Sequence, residues 1–245
     1  MADEKPVFTS DKRSPRSTSW ADDGDWVAGS LSNLDVVDGG LVPSEVSSGG
    51  ILLDGFERGS LSDEYGGNTE SGAVQSDIVH VDDYALELRG NKYDTISRTD
   101  VVVERGGVYS GWVRNTRNYS KTVYQREAGI VFMTQEASST PGGYYVEIRQ
   151  DDGKVTVYKP KTGESVTTTI VKSVSFPSSM DTWYKTEFEP KDDGTEEYRI
   201  YDASGDQLLS FSTSEGAYSS GGIGFAHGGD SDQHIAHFDD VRRWS

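Results

Sequence analysis

The sequence predicts an all-β chain, and three observations carry the prediction. No helical apolar period survives over an ~11-residue window. Strand-like runs recur at close spacing between Gly, Asp, Asn and Ser residues. Two hairpins have clear signatures. In YYVEIRQDDGKVTVYK, alternating strands flank Asp152-Gly153, a dipeptide that supplies the positive φ a tight hairpin needs. In EEYRIYDASGDQLLSFS, Ser204-Gly205 takes the turn.

In chain order, strands are expected near residues 51–57, 73–80, 84–89, 95–103, 107–114, 128–135, 143–150 and 154–159. More follow near 165–175, 183–190, 196–202, 206–212, 221–227 and 234–243. So many short strands do not lie in one flat sheet. They close into a barrel or stack as a sandwich. Residues 1–48 differ: DKRSPRSTSWADDGDW is polar and without period, and Leu34 to Val37 and Leu41-Val42 are its only apolar pieces. Two Trp are unusual in a free tail. This stretch is therefore expected to be an extended arm for attachment or oligomerisation, anchored on another subunit by Trp20, Trp26 and Leu34, with residues 49–245 as the folded domain.

Composition narrows the function classes. The 26 aromatic residues (5 Trp, 13 Tyr, 8 Phe) can build a core although only 33% of the chain is hydrophobic. The formal charge of −18 (41 acids against 23 bases) repels nucleic acid and anionic lipid. It suits high salt, where self-repulsion is screened within about 3 Å at 1 M. There is no Cys, hence no disulfide and no thiolate metal site. The N-terminus lacks the apolar region of a secretory signal, and no stretch approaches the ~20 apolar residues of a membrane span. The expectation is a protein made in the cytoplasm, without membrane insertion.

Four segments, in order, resemble a known family. They are ILLDGFERGSLSDEYGGNTESGAVQS, VDDYALELRG, TWYKTEFEPKDDGTEEYRIYDASGDQLLS and GGIGFAHGGDSDQHIAHFDDVRRW. Together they resemble the concanavalin A-like lectin and glucanase jelly roll, in its laminin-G-like form and of haloarchaeal type. The resemblance spans about residues 50–245. It implies a two-sheet antiparallel β-sandwich. With the acidic surface and the arm, the chain also resembles structural proteins of tailed viruses that infect haloarchaea. That resemblance implies a virion location, a homo-oligomer, other particle proteins bound through the arm, and a glycan or glycoprotein of the host surface as partner. The fold also serves glycosidases, and purely architectural proteins, so those alternatives stay open.

Catalytic candidates are weak. Glu187 and Glu189 share a strand face about 6.6–6.8 Å apart, inside the ~5–9.5 Å that glycosidase carboxylates span. The Glu-x-Asp-x-x-Glu signature of the family's hydrolases is absent, because Pro190 and a turn follow. No catalytic residue is expected; a glycan-processing enzyme would draw on Glu187, Glu189 or Glu147. His234 and His237 fall on opposite faces of a strand, which makes zinc improbable. Binding has more support. GWVRNTRNYSKTVYQREAGIVF joins two strands by a long polar loop. Arg114, Asn115, Arg117, Asn118, Tyr119, Tyr124 and Arg126 supply aromatic faces, amides and forks suited to sugars. Trp112, Tyr145 and Arg149 are expected to form the floor, with Tyr145 and Arg149 on the outward face of their strand.

The last strand, QHIAHFDDVRRWS, carries Asp239-Asp240. By alternation Phe238 and Asp240 share one face and Asp239 and Val241 the other, so one Asp is expected to face the core in either register. A buried carboxylate needs a partner. First and last strands of a jelly roll lie side by side, which would gather Asp54, Glu57, Asp239 and Asp240. Structural calcium is one solution, and the resemblance implies it. Arg58, Arg242 or Arg243 as counter-ion is the other.

The charge yields a test by itself. The melting temperature is expected to rise steadily as NaCl is raised from about 0.1 M towards 1 M, because screening removes repulsion within the folded chain. A melt independent of salt contradicts the high-salt reading.

Overall fold

The computed structural model describes residues 34–37, 40–43, 50–90, 94–116, 126–160, 168–229 and 234–244. The chain divides into residues 1–50 and 51–245. In the first unit, β1 (Leu34–Val37) and β2 (Gly40–Pro43) form an antiparallel hairpin. The two short apolar pieces of the arm are thus strands, paired across the Asp-Gly that separates them. Trp20 and Trp26 lie outside the described residues.

The second unit carries β3 (Ile51–Asp54), β4 (Gly66–Gly67), β5 (Gly72–Gln75), β6 (Ala85–Gly90) and β7 (Asp94–Glu104). It continues with β8 (Val108–Thr116), β9 (Arg126–Thr134), β10 (Tyr144–Arg149), β11 (Lys154–Pro160) and β12 (Thr168–Ser175). It closes with β13 (Trp183–Pro190), β14 (Glu196–Tyr201), β15 (Gln207–Thr213), β16 (Ser220–Gly229) and β17 (His234–Trp244). A 7-stranded sheet runs β12-β11-β10-β9-β16-β7-β4. An 8-stranded sheet runs β15-β14-β13-β8-β17-β6-β5, with β3 beside β17. All pairings are antiparallel. The sandwich is therefore the expected one, with first and last strands of the unit adjacent.

Alternation drives the stacking of the sheets. On β13, Tyr184, Thr186 and Phe188 point inward, and Lys185, Glu187 and Glu189 outward. On β10, Tyr144, Val146 and Ile148 are the inward set. Aromatic pairs join the sheets: Phe132 stacks on Phe188 at 4.8 Å, and Phe225 meets Phe238 at 5.0 Å. Each such pair contributes about 0.5–1.5 kcal/mol beyond its buried area. Gly153 (φ 65°) and Gly205 (φ 89°) take the two hairpin turns as expected.

Strict alternation fails at Asp239-Asp240, and the failure corrects the expectation that one acid faces the core. Asp239 is paired with Trp112 and Arg242 with Ser110, so Asp240 and Val241 together oppose Gly111. This is a β-bulge, with Asp240 in the left-handed region (φ 49°). The extra residue resets the phase of the strand. Phe238 and Val241 both enter the core; Asp239 points to the opposite face, where it is nevertheless buried at 1% exposure, and Asp240 is half-buried. Asp240 pairs instead with Arg242 (2.7 Å).

A second difference concerns β5, which ends at Gln75 rather than near residue 80. Its continuation is held against β17: Asp239 Oδ2 accepts from the backbone N–H of His80 and of Val81, each at 2.9 Å. Asp54, at the end of β3, crosses to the other sheet. Its carboxylate accepts from Arg98 Nη1 of β7 (2.7 Å), from Tyr65 Oη (3.0 Å) and from the Phe56 N–H (2.9 Å). The two charged side chains are 8% and 5% exposed, so removing one strands the other in a dry site. Arg98→Met is expected to lower the unfolding free energy by about 3–5 kcal/mol in a denaturant titration. A loss below about 1 kcal/mol, the scale of a surface pair, contradicts the role given to this bridge.

Candidate functional site

The two sheets are back to back, so their outer faces point in opposite directions. This separates residues that were expected together. Trp112 and Arg114 lie on β8, on the outer face of the 8-stranded sheet. Tyr145 and Arg149 lie on β10, on the outer face of the 7-stranded sheet. They do not form one floor. Arg117, Asn118, Tyr119 and Tyr124 lie outside the described residues, and Arg126 is described only as the first position of β9. Asn115 points inward and donates to the Ile148 carbonyl at 3.1 Å.

The 8-stranded face carries an aromatic platform. Cross-strand pairing sets Trp112 (β8) opposite Lys185 (β13), and Lys185 opposite Tyr201 (β14). The bulge turns Trp244 to the same face, where its indole N–H donates to Ser110 Oγ at 2.8 Å. The Lys185 ammonium sits 4.4 Å from the Tyr201 ring centre and 5.6 Å from that of Trp244. Trp112, Lys185, Tyr201 and Trp244 are all half-buried, so each offers surface. The His80 ring leans over part of one face of Trp112, with the ring centres 3.7 Å apart and the planes tilted by 43°. Burial of His80 lowers its pKa, so it stacks as the neutral ring near pH 7. Arg114 reaches Asp181 (3.5 Å) at the rim.

The same face carries Glu187 and Glu189. Arg199 donates to Glu187 (2.8 Å), to Glu189 (2.5 Å) and to Glu197. A guanidinium shared among three carboxylates ties them into one hydrogen-bonded network.

On the 7-stranded face, Glu147 and Glu127 are buried on adjacent strands. Among the described residues no N–H or hydroxyl donates to the Glu127 oxygens, although Arg149 Nε lies 3.2 Å from one of them. Burial first, and then the Glu127 charge, raises the Glu147 pKa well above the usual carboxylate range. A proton on Glu147 would let it donate to one of the two Glu127 oxygens. Arg149 also contacts Tyr158 and Asp151, and Tyr145, which is 8% exposed, donates to the Pro141 carbonyl. Tyr145 does face outward as alternation requires, yet it is covered.

The four terminal acids do not share a cage. Asp54 belongs to Arg98 and Tyr65; Glu57 accepts from the N–H groups of Asp83 (3.2 Å) and Tyr84 (3.3 Å). Asp239 is held by the 80–81 backbone and Asp240 by Arg242. Arg243 turns to Glu104 instead (2.8 Å), and Arg58 lies 4.0 Å from Asp54. Calcium needs six to eight oxygens from one place. Among the described residues no three His, Asp or Glu side chains gather in that way. Each of the four acids has a hydrogen-bonding partner of its own. Burial pushes the Asp239 carboxyl up to about 7 despite its two N–H donors. His234 and His237 are on opposite faces: His234 stacks on His227 (4.6 Å), while His237 Nδ1 meets Thr116 Oγ1 at 2.9 Å.

No family model and no curated protein matches the chain. Solved structures do. The carbohydrate-binding module CBM66 from Bacillus subtilis matches with a TM-score of 0.53 and 14% identity, over 76% of this chain and 99% of its own. A Bacillus subtilis protein of unknown function with a galectin-like fold matches with a TM-score of 0.52 and 13% identity, over 80% and 96%. At such identities the likeness is one of fold. The chain shares with these two structures a galectin-like two-sheet β-sandwich fold.

The Glu147 shift carries a sign. A carboxyl whose pKa rises on folding contributes stability fully below its ordinary value of 4.5, and loses it as pH rises through the folded value. Glu147→Gln keeps the shape and needs no proton. The melting temperature of the variant is expected to exceed that of the wild type at about pH 8, and the difference to shrink towards pH 4. A difference of constant size across that range contradicts the protonated pair.

Proposed function

We propose that the chain is a non-catalytic carbohydrate-binding module whose ligand lies across Trp112, Trp244 and Tyr201. The observation that carries this reading is the platform itself. Three partly exposed aromatic rings and a cation share one open sheet face, with Ser110 and the Tyr201 hydroxyl among them. Flat apolar faces beside polar hydrogen-bonding groups suit the pyranose ring. The fold is compatible with that task without requiring it.

The glycan-processing alternative draws less support. Glu187 and Glu189 are tied to Arg199, and Glu147 is buried beside Glu127. The acidic surface supports a setting in high salt. There the module would be displayed as a homo-oligomer on a virion, joined to other particle proteins through residues 1–48 and turned towards host glycans.

A glycan array followed by calorimetry tests the reading. Binding of at least one oligosaccharide is expected, weakened about tenfold or more by Trp112→Ala, the loss of one stacking surface. Incubation with the bound sugar is expected to yield no product. Turnover abolished by Glu147→Gln or Glu187→Gln, or binding untouched by Trp112→Ala, contradicts the proposal.

A further inference from the structure

We infer that the sugar recognised on the 8-stranded face is acidic, and that Lys185 takes its carboxylate or sulfate group. The inference rests on the carbohydrate reading above and adds the chemical class of the ligand.

The neighbouring cations on this face are committed. Arg199 serves Glu187, Glu189 and Glu197, Arg242 serves Asp240, and Arg114 serves Asp181. Lys185 is different. Among the described residues no carboxylate lies within ion-pair distance of its ammonium, and no acceptor takes a hydrogen bond from it. In a chain with 41 acids and 23 bases, a half-buried cation left without an acid calls for a physical reason.

Its surroundings supply one. The rings of Tyr201 and Trp244 attract the ammonium electrostatically and hold it in position. Ring faces do not accept its three N–H groups as a carboxylate would. The donors are thus positioned and still available. Trp112, the cross-strand neighbour of Lys185, presents the adjacent flat surface. A sugar lying against Trp112 brings a ring substituent to the ammonium. An anionic substituent gains a charge-assisted hydrogen bond that a hydroxyl does not.

The field of the whole chain limits the ligand further. A net charge of −18 repels a polyanion at long range, so an isolated acidic unit within an otherwise neutral glycan fits better than a continuous acidic polymer. Measurements belong at about 0.15 M salt or above, where the Debye length is ~8 Å.

Calorimetry with three oligosaccharides of one backbone tests the inference: uronate-bearing, carboxyl-reduced and sulfated. The wild type is expected to prefer an acidic form over the reduced one about tenfold, the scale of one charge-assisted hydrogen bond. Whichever acidic form binds identifies the source of the charge. Lys185→Gln is expected to abolish the preference for the acidic form over the reduced one, and Lys185→Arg to restore it. Equal affinity for neutral and acidic forms, or a preference that survives Lys185→Gln, overturns the inference and leaves the carbohydrate reading standing. Binding of none of the three overturns both.

Discussion

Two consecutive carboxylates in a strand at the centre of a sheet cannot both avoid the core by alternation alone. The bulge at Asp240 removes that conflict, and much of the 8-stranded sheet depends on it. Without the extra residue, Phe238 inward puts Asp240, Arg242 and Trp244 inward too. With it, Val241 fills the core beside Gly111, and Arg242 and Trp244 turn outward. The backbone cost is that of one non-Gly residue in the left-handed region, about 1–2 kcal/mol. Burying one unpaired carboxylate costs several. The cheaper strain is therefore kept, and it delivers Trp244 to the platform.

Charge organises the rest. In an acid-rich chain each buried or half-buried cation is a scarce resource, and its position reveals what that region does. Arg98 spans the sheets to Asp54, tying the unit's first strand to the opposite layer. Arg199 gathers three acids on an open face, which makes Glu187 and Glu189 parts of a network. The 7-stranded face has too few cations for its acids. Arg149 reaches Glu127, and burial beside that charge raises the Glu147 pKa. The two outer faces thus differ in kind: one is covered and closed upon itself, the other partly exposed and rich in rings.

The sandwich was legible in residues 51–245 because its strands announce themselves twice, by alternation and by punctuation. Asp152-Gly153 fixed one hairpin, and the outward set Tyr145, Glu147, Arg149 was correct for its strand. What escaped was whatever depends on two strands meeting. Gly66-Gly67 pairs with β7 without any side-chain pattern to signal it. Trp112 and Tyr145 were grouped by composition, but they belong to opposite layers, and no local motif tells the layer of a strand. Glu127 gave no signal: its burial follows from lying beside β10 and β16. The bulge was missed because a single extra residue leaves no trace in the alternation of the strand that carries it. Only the adjacency of two Asp hinted at it. Lys185 carries no local signal; the rings on its two sides come from pairing with β8 and β14.

The central claim is that the exposed aromatic face, and not the closed carboxylate face, receives the ligand. A crystal structure with a bound oligosaccharide tests it most directly. The account predicts sugar density against Trp112 and Trp244, with a polar substituent within hydrogen-bond distance of Lys185 Nζ. Density over Tyr145 and Tyr158, with Glu147 and Glu127 drawn apart around it, would contradict it.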